Sequence, residues 1–224
     1  MSNTYFSFKY FTVHQDLCAM KVGTDGVLLG CWAEGGKRIL DIGSGTGVVS
    51  LMMAQRHPFS FIDAIDIDEG AFRQTVMNIS ASPFSDRMAA HLLSLQNYFT
   101  EPYDSIVCNP PFFTNDLKSP CEQRNKARHT DTLSFPDLFS NVKRLLRPEG
   151  SFSLIIPLNE RKDIDFQAVL NGFYPLRVCA VKTVSQKPPK RYLCSFGLIP
   201  QTCQQEELII GSETYKELLK DFYL

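Results

Sequence analysis

Between Lys37 and Pro157 the sequence alternates short runs of branched apolar residues with longer stretches whose apolar positions recur at helical spacing. This alternation constrains the fold more than any other feature. Repeated strand-helix units bury each strand on both faces and build a mostly parallel sheet. Strands are expected over 38–42, 61–67, 88–93, 104–108 and 151–156, with helices over 48–56, 69–80 and 135–146. Arg147-Pro148-Glu149-Gly150 reads as the turn from the last helix into the fifth strand. Beyond it, 173–182 and 192–199 are strand-like and flank a polar, proline-bearing stretch, so an antiparallel hairpin is expected to close one edge. Residues 5–13 alternate aromatic and polar positions, like a small hairpin or lid strand.

With 224 residues, 44% hydrophobic and 21% charged, one domain spanning 1–224 is expected, a cap over 1–35 on a core over 36–224. No apolar run reaches the roughly eighteen residues of a membrane span, and Met1 to Tyr10 lacks a signal pattern, so a cytoplasmic location with no membrane partner is expected; the oligomeric state is left open, with a monomer favoured. The seven cysteines (18, 31, 108, 121, 179, 194, 203) are odd in number and never spaced as CxxC. They are read as reduced, mostly apolar side chains, with no metal site. A net charge of −1 gives no global pull toward nucleic acid, which leaves local basic patches to supply one.

Gly43, Gly45 and Gly47 form a turn between a buried strand and a helix, at the carboxyl edge where α/β sheets bind ligands. Glycines there let a ligand approach the backbone closely. Nineteen residues after Gly47, Asp66 ends the second strand, placed to accept hydrogen bonds from both hydroxyls of a ribose. Asp68 shares its face but precedes the next helix, so it is read as an N-cap. Asp41 lies inside the first strand, where a carboxylate needs a partner such as a ligand's cationic amine. NAD and S-adenosyl-L-methionine both contain an adenosine, so these residues do not decide between them.

After the fourth strand stands Asn109-Pro110-Pro111-Phe112. An exocyclic amino group on adenine is a poor nucleophile because its lone pair is delocalised into the ring. Acceptors that hold its two hydrogens restore it, and the Asn109 amide oxygen and the Pro110 carbonyl can be those acceptors. Two prolines stiffen the loop, and Phe112 can stack on the base.

Together these motifs resemble class I S-adenosylmethionine-dependent N-methyltransferases. The stretches 11–16 and 20–30 resemble, more narrowly, the bacterial tRNA1(Val) adenine-N6 methyltransferase family, a likeness continuing through 124–129 and 190–191. The resemblance implies a Rossmann-like α/β fold with a mostly parallel seven-stranded sheet, an antiparallel edge hairpin and a short N-terminal cap. It also implies S-adenosyl-L-methionine as cofactor and tRNA as partner. Cofactor contacts carry over to Lys21, Thr24, Gly26, Asp41, Gly43, Gly45, Asp66 and Asn109. Where relatives place an aspartate for the cofactor's adenine, this chain has Ser94, a weaker acceptor.

Two basic patches are candidates for RNA phosphates: Lys118, Arg124, Lys126 and Arg128 with one acid, Glu122, and Lys182, Lys187, Lys190 and Arg191 with none. Arg128 and His129 are also candidates to shape the base pocket. Three other readings stand beside this one. A glutamine-amide methyltransferase of a release factor shares the Asn-Pro-Pro corner but carries a sizeable helical N-terminal domain. A nicotinamide-dependent oxidoreductase needs a catalytic acid or tyrosine-lysine pair, and none is evident. A non-catalytic nucleotide-binding module would have lost its catalytic loop.

Overall fold

The structure, a computed structural model, describes residues 3–110 and 133–223. Two short strands, β1 (Tyr5–Ser7) and β2 (Thr12–His14), form an antiparallel hairpin. Helix α1 (Thr24–Trp32) leads into the alternating part: β3 (Arg38–Ile42), α2 (Val48–Arg56), β4 (Phe61–Asp66), α3 (Glu69–Ser80), β5 (Met88–Leu92) and β6 (Tyr103–Cys108). Then follow α4 (Phe135–Leu145), β7 (Leu146–Pro157), α5 (Arg161–Leu170), β8 (Tyr174–Lys182), β9 (Arg191–Gly197), β10 (Gln204–Ile209) and α6 (Glu213–Leu219).

The large sheet has the order β10-β8-β9-β7-β6-β3-β4-β5. Among the described strands of this sheet, β9 alone runs against its neighbours. Side-chain alternation sorts the strands between two layers. Ile39, Val107 and Ile155 face the core shared with α1, α2 and α6. Leu40, Ile42, Ile106, Leu154 and Ile156 face the core built on α4 and α5.

The parallel α/β class expected from the alternation is present, with three differences. The sheet has eight strands rather than seven. The hairpin of β8 and β9 does not close the edge, because β10 pairs with β8 outside it. An edge strand need bury only part of itself, so β10 reads as Gln-Gln-Glu-Glu and escapes the apolar signal. Its charges are matched across the ladder: Glu206 pairs with Arg177 at 2.9 Å and Glu207 with Lys182 at 2.6 Å. The tetrapeptide 147–150, expected as a turn, belongs to β7 as a bulge. Tyr103 faces Leu146 and Ser105 faces Ser151, so four residues stand opposite Asp104, which holds Arg147 at 2.6 Å.

Residues 213–223 support the hairpin from below. Phe8 stacks on Phe11 at 4.7 Å and on Tyr223 at 6.2 Å. The Lys9 amide donates to the Phe222 carbonyl at 2.9 Å, and Gln55 donates to that of Asp221 at 2.8 Å. Among the described residues, no helix is long and apolar enough to cross a membrane.

Helix α1 is buried along nearly its whole length and lies close against α2 because glycines recur four residues apart. A Cβ at Gly26 would meet Val48 Cγ1 at 3.3 Å, and one at Gly30 would meet both Cβ and Sδ of Met52 at 2.9 Å. Gly30→Ala gains about 1 kcal/mol of helix propensity but must push α1 off a stiff Cβ, an overpacking cost of about 1–3 kcal/mol. Urea unfolding should therefore show a net loss of stability; a more stable variant would refute this packing.

Candidate active site

The glycine turn is built by its own conformation and by β4. Gly43, Gly45 and Gly47 all have positive φ (71°, 57° and 76°), where a Cβ would be strained. The amides of Gly43 and Ser44 donate to the Ile65 carbonyl at 2.9 and 3.1 Å, and that of Gly45 donates to Asp66 Oδ2 at 2.9 Å. A loop that cradles a pyrophosphate needs such amides turned toward the ligand. Here three in succession are spent on the neighbouring strand. Space remains at the turn itself, since a Cβ on Gly43 would meet nothing within 4 Å.

Ile42 is in register with Ile65 on one side and Cys108 on the other. The next residues, Asp66, Gly43 and Asn109, therefore stand abreast at the carboxyl ends of β4, β3 and β6. Asp66 uses one lone pair of each oxygen, accepting from the amides of Gly45 and Asp68 (3.0 Å), which leaves capacity for two hydroxyls. Asp68 caps α3, accepting from the Ala71 amide at 2.8 Å, the duty its position suggested. Ser94 follows β5 beside this row, where the Leu93 amide bonds the Asp66 carbonyl at 3.1 Å.

Asp41 is buried, and its partner is Ser50 on α2, whose amide and hydroxyl donate to Oδ2 at 3.1 and 2.5 Å. Burial pushes the Asp41 carboxyl up to about 6; the Ser50 hydrogen bonds pull it down, and the Asp66 charge adds to the rise. Sequence reasoning looked for a ligand amine there and missed Ser50, a short polar residue inside an apolar helix.

Three polar side chains of α3, fully buried, roof the site. Thr75 Oγ1 donates to the Gly45 carbonyl at 3.0 Å and meets Ser44 Oγ at 3.0 Å. Asn78 donates at 2.8 Å to the carbonyls of both Thr46 and His14 and accepts from the His14 amide at 2.9 Å. Gln74 accepts from the Leu17 amide at 2.7 Å. These residues lay the N-terminal segment across the glycine turn, and a Cβ on Gly45 would sit 3.7 Å from Cys18 Sγ. The Gln15 side chain closes the loop that follows, accepting from Val22 N at 2.9 Å and donating to the Asn3 carbonyl at 2.9 Å.

Asn109 is half-buried under the start of α1: a Cβ on Gly26 would be 3.7 Å from its Nδ2. Residues from the two ends of the sequence pattern thus meet over one glycine turn.

The sequence profile of the methyltransferase small domain family matches residues 21–173. Relatives named tRNA1(Val) (adenine(37)-N6)-methyltransferase include one from Parabacteroides distasonis, 44% identical over 100% of this chain and 99% of its own. Another, from Phocaeicola vulgatus, is 46% identical over the same shares. The chain belongs to this methyltransferase family. Its fold is also that of a structure described as a predicted O-methyltransferase from Agrobacterium tumefaciens, with TM-score 0.68, 16% identity, and coverage of 88% of this chain and 96% of that one. A glycopeptide N-methyltransferase solved with S-adenosyl-L-methionine superposes with TM-score 0.59 at 10% identity, over 80% of this chain and all of that one.

In this methyltransferase the remaining candidates are placed as follows. Thr24 opens α1 and is exposed, and Lys21 Nζ donates to the Asn3 carbonyl at 3.1 Å. Pro110 is buried beside Asn109. The 183–190 loop joins β8 to β9 at the same carboxyl edge, because Arg191 is in register with Pro157 at the end of β7. Lys187 and Lys190 are exposed there, whereas Lys182 is paired with Glu207 and Arg191 with Asp25, at 2.6 and 2.8 Å. Pro111, Phe112, Lys118, Cys121, Glu122, Arg124, Lys126, Arg128 and His129 lie outside the described residues. Cys31, Cys108, Cys179 and Cys194 are buried free thiols, as their apolar settings suggested.

The raised carboxyl of Asp41 fixes a sign for pH dependence. Between about pH 4 and 6 the folded state holds a proton that the unfolded chain has released, so the Asp41 contribution is full below that window and lost as pH rises through it. Two units amount to about 3 kcal/mol. Urea unfolding of the wild type and Asp41→Asn should show the wild type gaining on the variant by that order as pH falls from 8 to 4. Parallel stability curves would remove the charge-burial account.

Proposed function

We propose that the enzyme transfers a methyl group from S-adenosyl-L-methionine to N6 of the adenine at position 37 of a valine tRNA, in the cytosol. The row Asp66, Gly43 and Asn109 carries this reading, because it sets a hydroxyl-binding carboxylate, an open glycine and an amide side by side. The relatives' shared name supplies the nucleotide.

The donor set fits this cofactor and disfavours a dinucleotide. The amides at 43–45 are spent, and two carboxylates, Asp66 at the mouth and Asp41 buried two residues before Gly43, repel phosphate while suiting hydroxyls and a cationic amine. Asp66 would hold the ribose, Asp41 the methionine amine, Ser94 the adenine, and Lys21, Thr24 and Gly26 the side under α1. When bound, the cofactor supplies a methyl carbon made electrophilic by a sulfonium. The chain supplies position. Asn109 and the Pro110 carbonyl accept the two hydrogens of the target amine, which draws its lone pair out of the ring and aims it. Pro111 and Phe112 are assigned to the same motif by sequence alone, for stiffness and for stacking on the base. Lys187 and Lys190, together with Lys118, Arg124, Lys126 and Arg128, would meet the phosphates flanking a base splayed from its loop.

Unmodified tRNA incubated with tritiated cofactor and digested to nucleosides should yield N6-methyladenosine. Label in any other nucleoside, or none in tRNA beside label in a protein glutamine, would sink the substrate assignment. Asn109→Ala should lower kcat by about 10²–10³-fold at saturating cofactor, as read by single-turnover assay. Asp66→Ala should instead weaken cofactor binding by tenfold or more.

A further inference from the structure

Arg191 stands in a basic run at the edge where RNA would lie, yet its guanidinium is turned inward. Its Nε donates to Asp25 Oδ2 at 2.8 Å and its NH1 to the Lys190 carbonyl at 3.0 Å. Asp25 lies in the first turn of α1, where a helix favours an acid, and its neighbour Gly26 faces Asn109. The pair therefore joins β9 to the start of α1 across the end of β7. The other end of α1 is tied to the same side of the sheet: Trp32 Nε1 donates to Glu206 Oε2 at 2.8 Å, and Arg177 stacks on the Trp32 ring at 4.2 Å. The close glycine contacts with α2 leave α1 little freedom to move sideways, and the two tethers fix it along its axis.

We infer that Arg191 is a positioning residue, which through Asp25 holds the first turn of α1 against Asn109, and is not a phosphate ligand for the RNA. This rests on the reaction proposed above. Both side chains are about one-third exposed, so the pair adds little to global stability. Its effect lies in geometry, because a shift on the order of 1 Å at a catalytic amide is enough to cost rate.

The two roles give opposite signs when the acid is neutralised. If Arg191 positions α1, Asp25→Asn and Arg191→Gln should each lower kcat by about tenfold. The double variant should be no worse than either single one. Melting temperature and the salt dependence of tRNA binding should both be unchanged. If Arg191 binds phosphate, Asp25→Asn frees a cation and tightens tRNA binding, while Arg191→Gln lowers the salt slope by about one. That result overturns the inference, as do additive losses, unaltered kcat, or a fall in melting temperature that tracks the fall in rate. A wild-type enzyme that leaves tRNA unmethylated would instead refute the proposed reaction.

Discussion

The site depends on one hydrogen-bonding side chain, the buried amide of Asn78. Its Nδ2 is shared between a carbonyl of the N-terminal segment and a carbonyl of the glycine turn, and its Oδ1 takes the His14 amide. Buried backbone groups must find partners, and both segments are too irregular to find them in each other. A single amide satisfies three such groups and so fixes where residues 14–17 cross the turn. Thr75 extends the same bracket to Gly45 in the turn, and Gln74 extends it to Leu17 in the N-terminal segment. Replacing Asn78 by an apolar residue would strand all three groups at once, each at about 1–3 kcal/mol.

Much of the architecture was legible because burial on both faces leaves a strong mark. The strand 38–42 and the helices 48–56 and 69–80 begin and end where the apolar pattern does. The elements that went unseen are those whose stability comes from elsewhere. Helix α1 has apolar residues on all sides and two glycines, so it carries no amphipathic period; it is helical because α2, β7 and α6 enclose it. Strand β10 has polar residues because it needs only one neighbour. The 147–150 bulge reads as a turn because it is one in composition, and only the partner strand shows that the ladder resumes.

For the site, residues whose chemistry is declared by type and context, such as Asp66 and Asn109, were legible. Their row across β4, β3 and β6 needed the register. Ser50, Gln74, Thr75 and Asn78 were not legible, since a polar residue on a helix normally marks a solvated face. Gln74, Thr75 and Asn78 are buried beneath the segment that crosses the turn, and Ser50 against Asp41 of β3. Arg191 shows the converse: a basic run suggests an outward charge, whereas its partner in the structure lies 166 positions earlier in the chain.

The aromatic floor under the N-terminal hairpin is drawn from the far end of the chain. Phe222 and Tyr223, which support Phe8 and bond Lys9, leave the ribosome after every other element described here. A nascent polypeptide can therefore complete its sheet and its glycine turn while the covering segment still lacks support. Support for the roof over the cleft is thereby tied to the emergence of residues 213–223, long after the turn it covers.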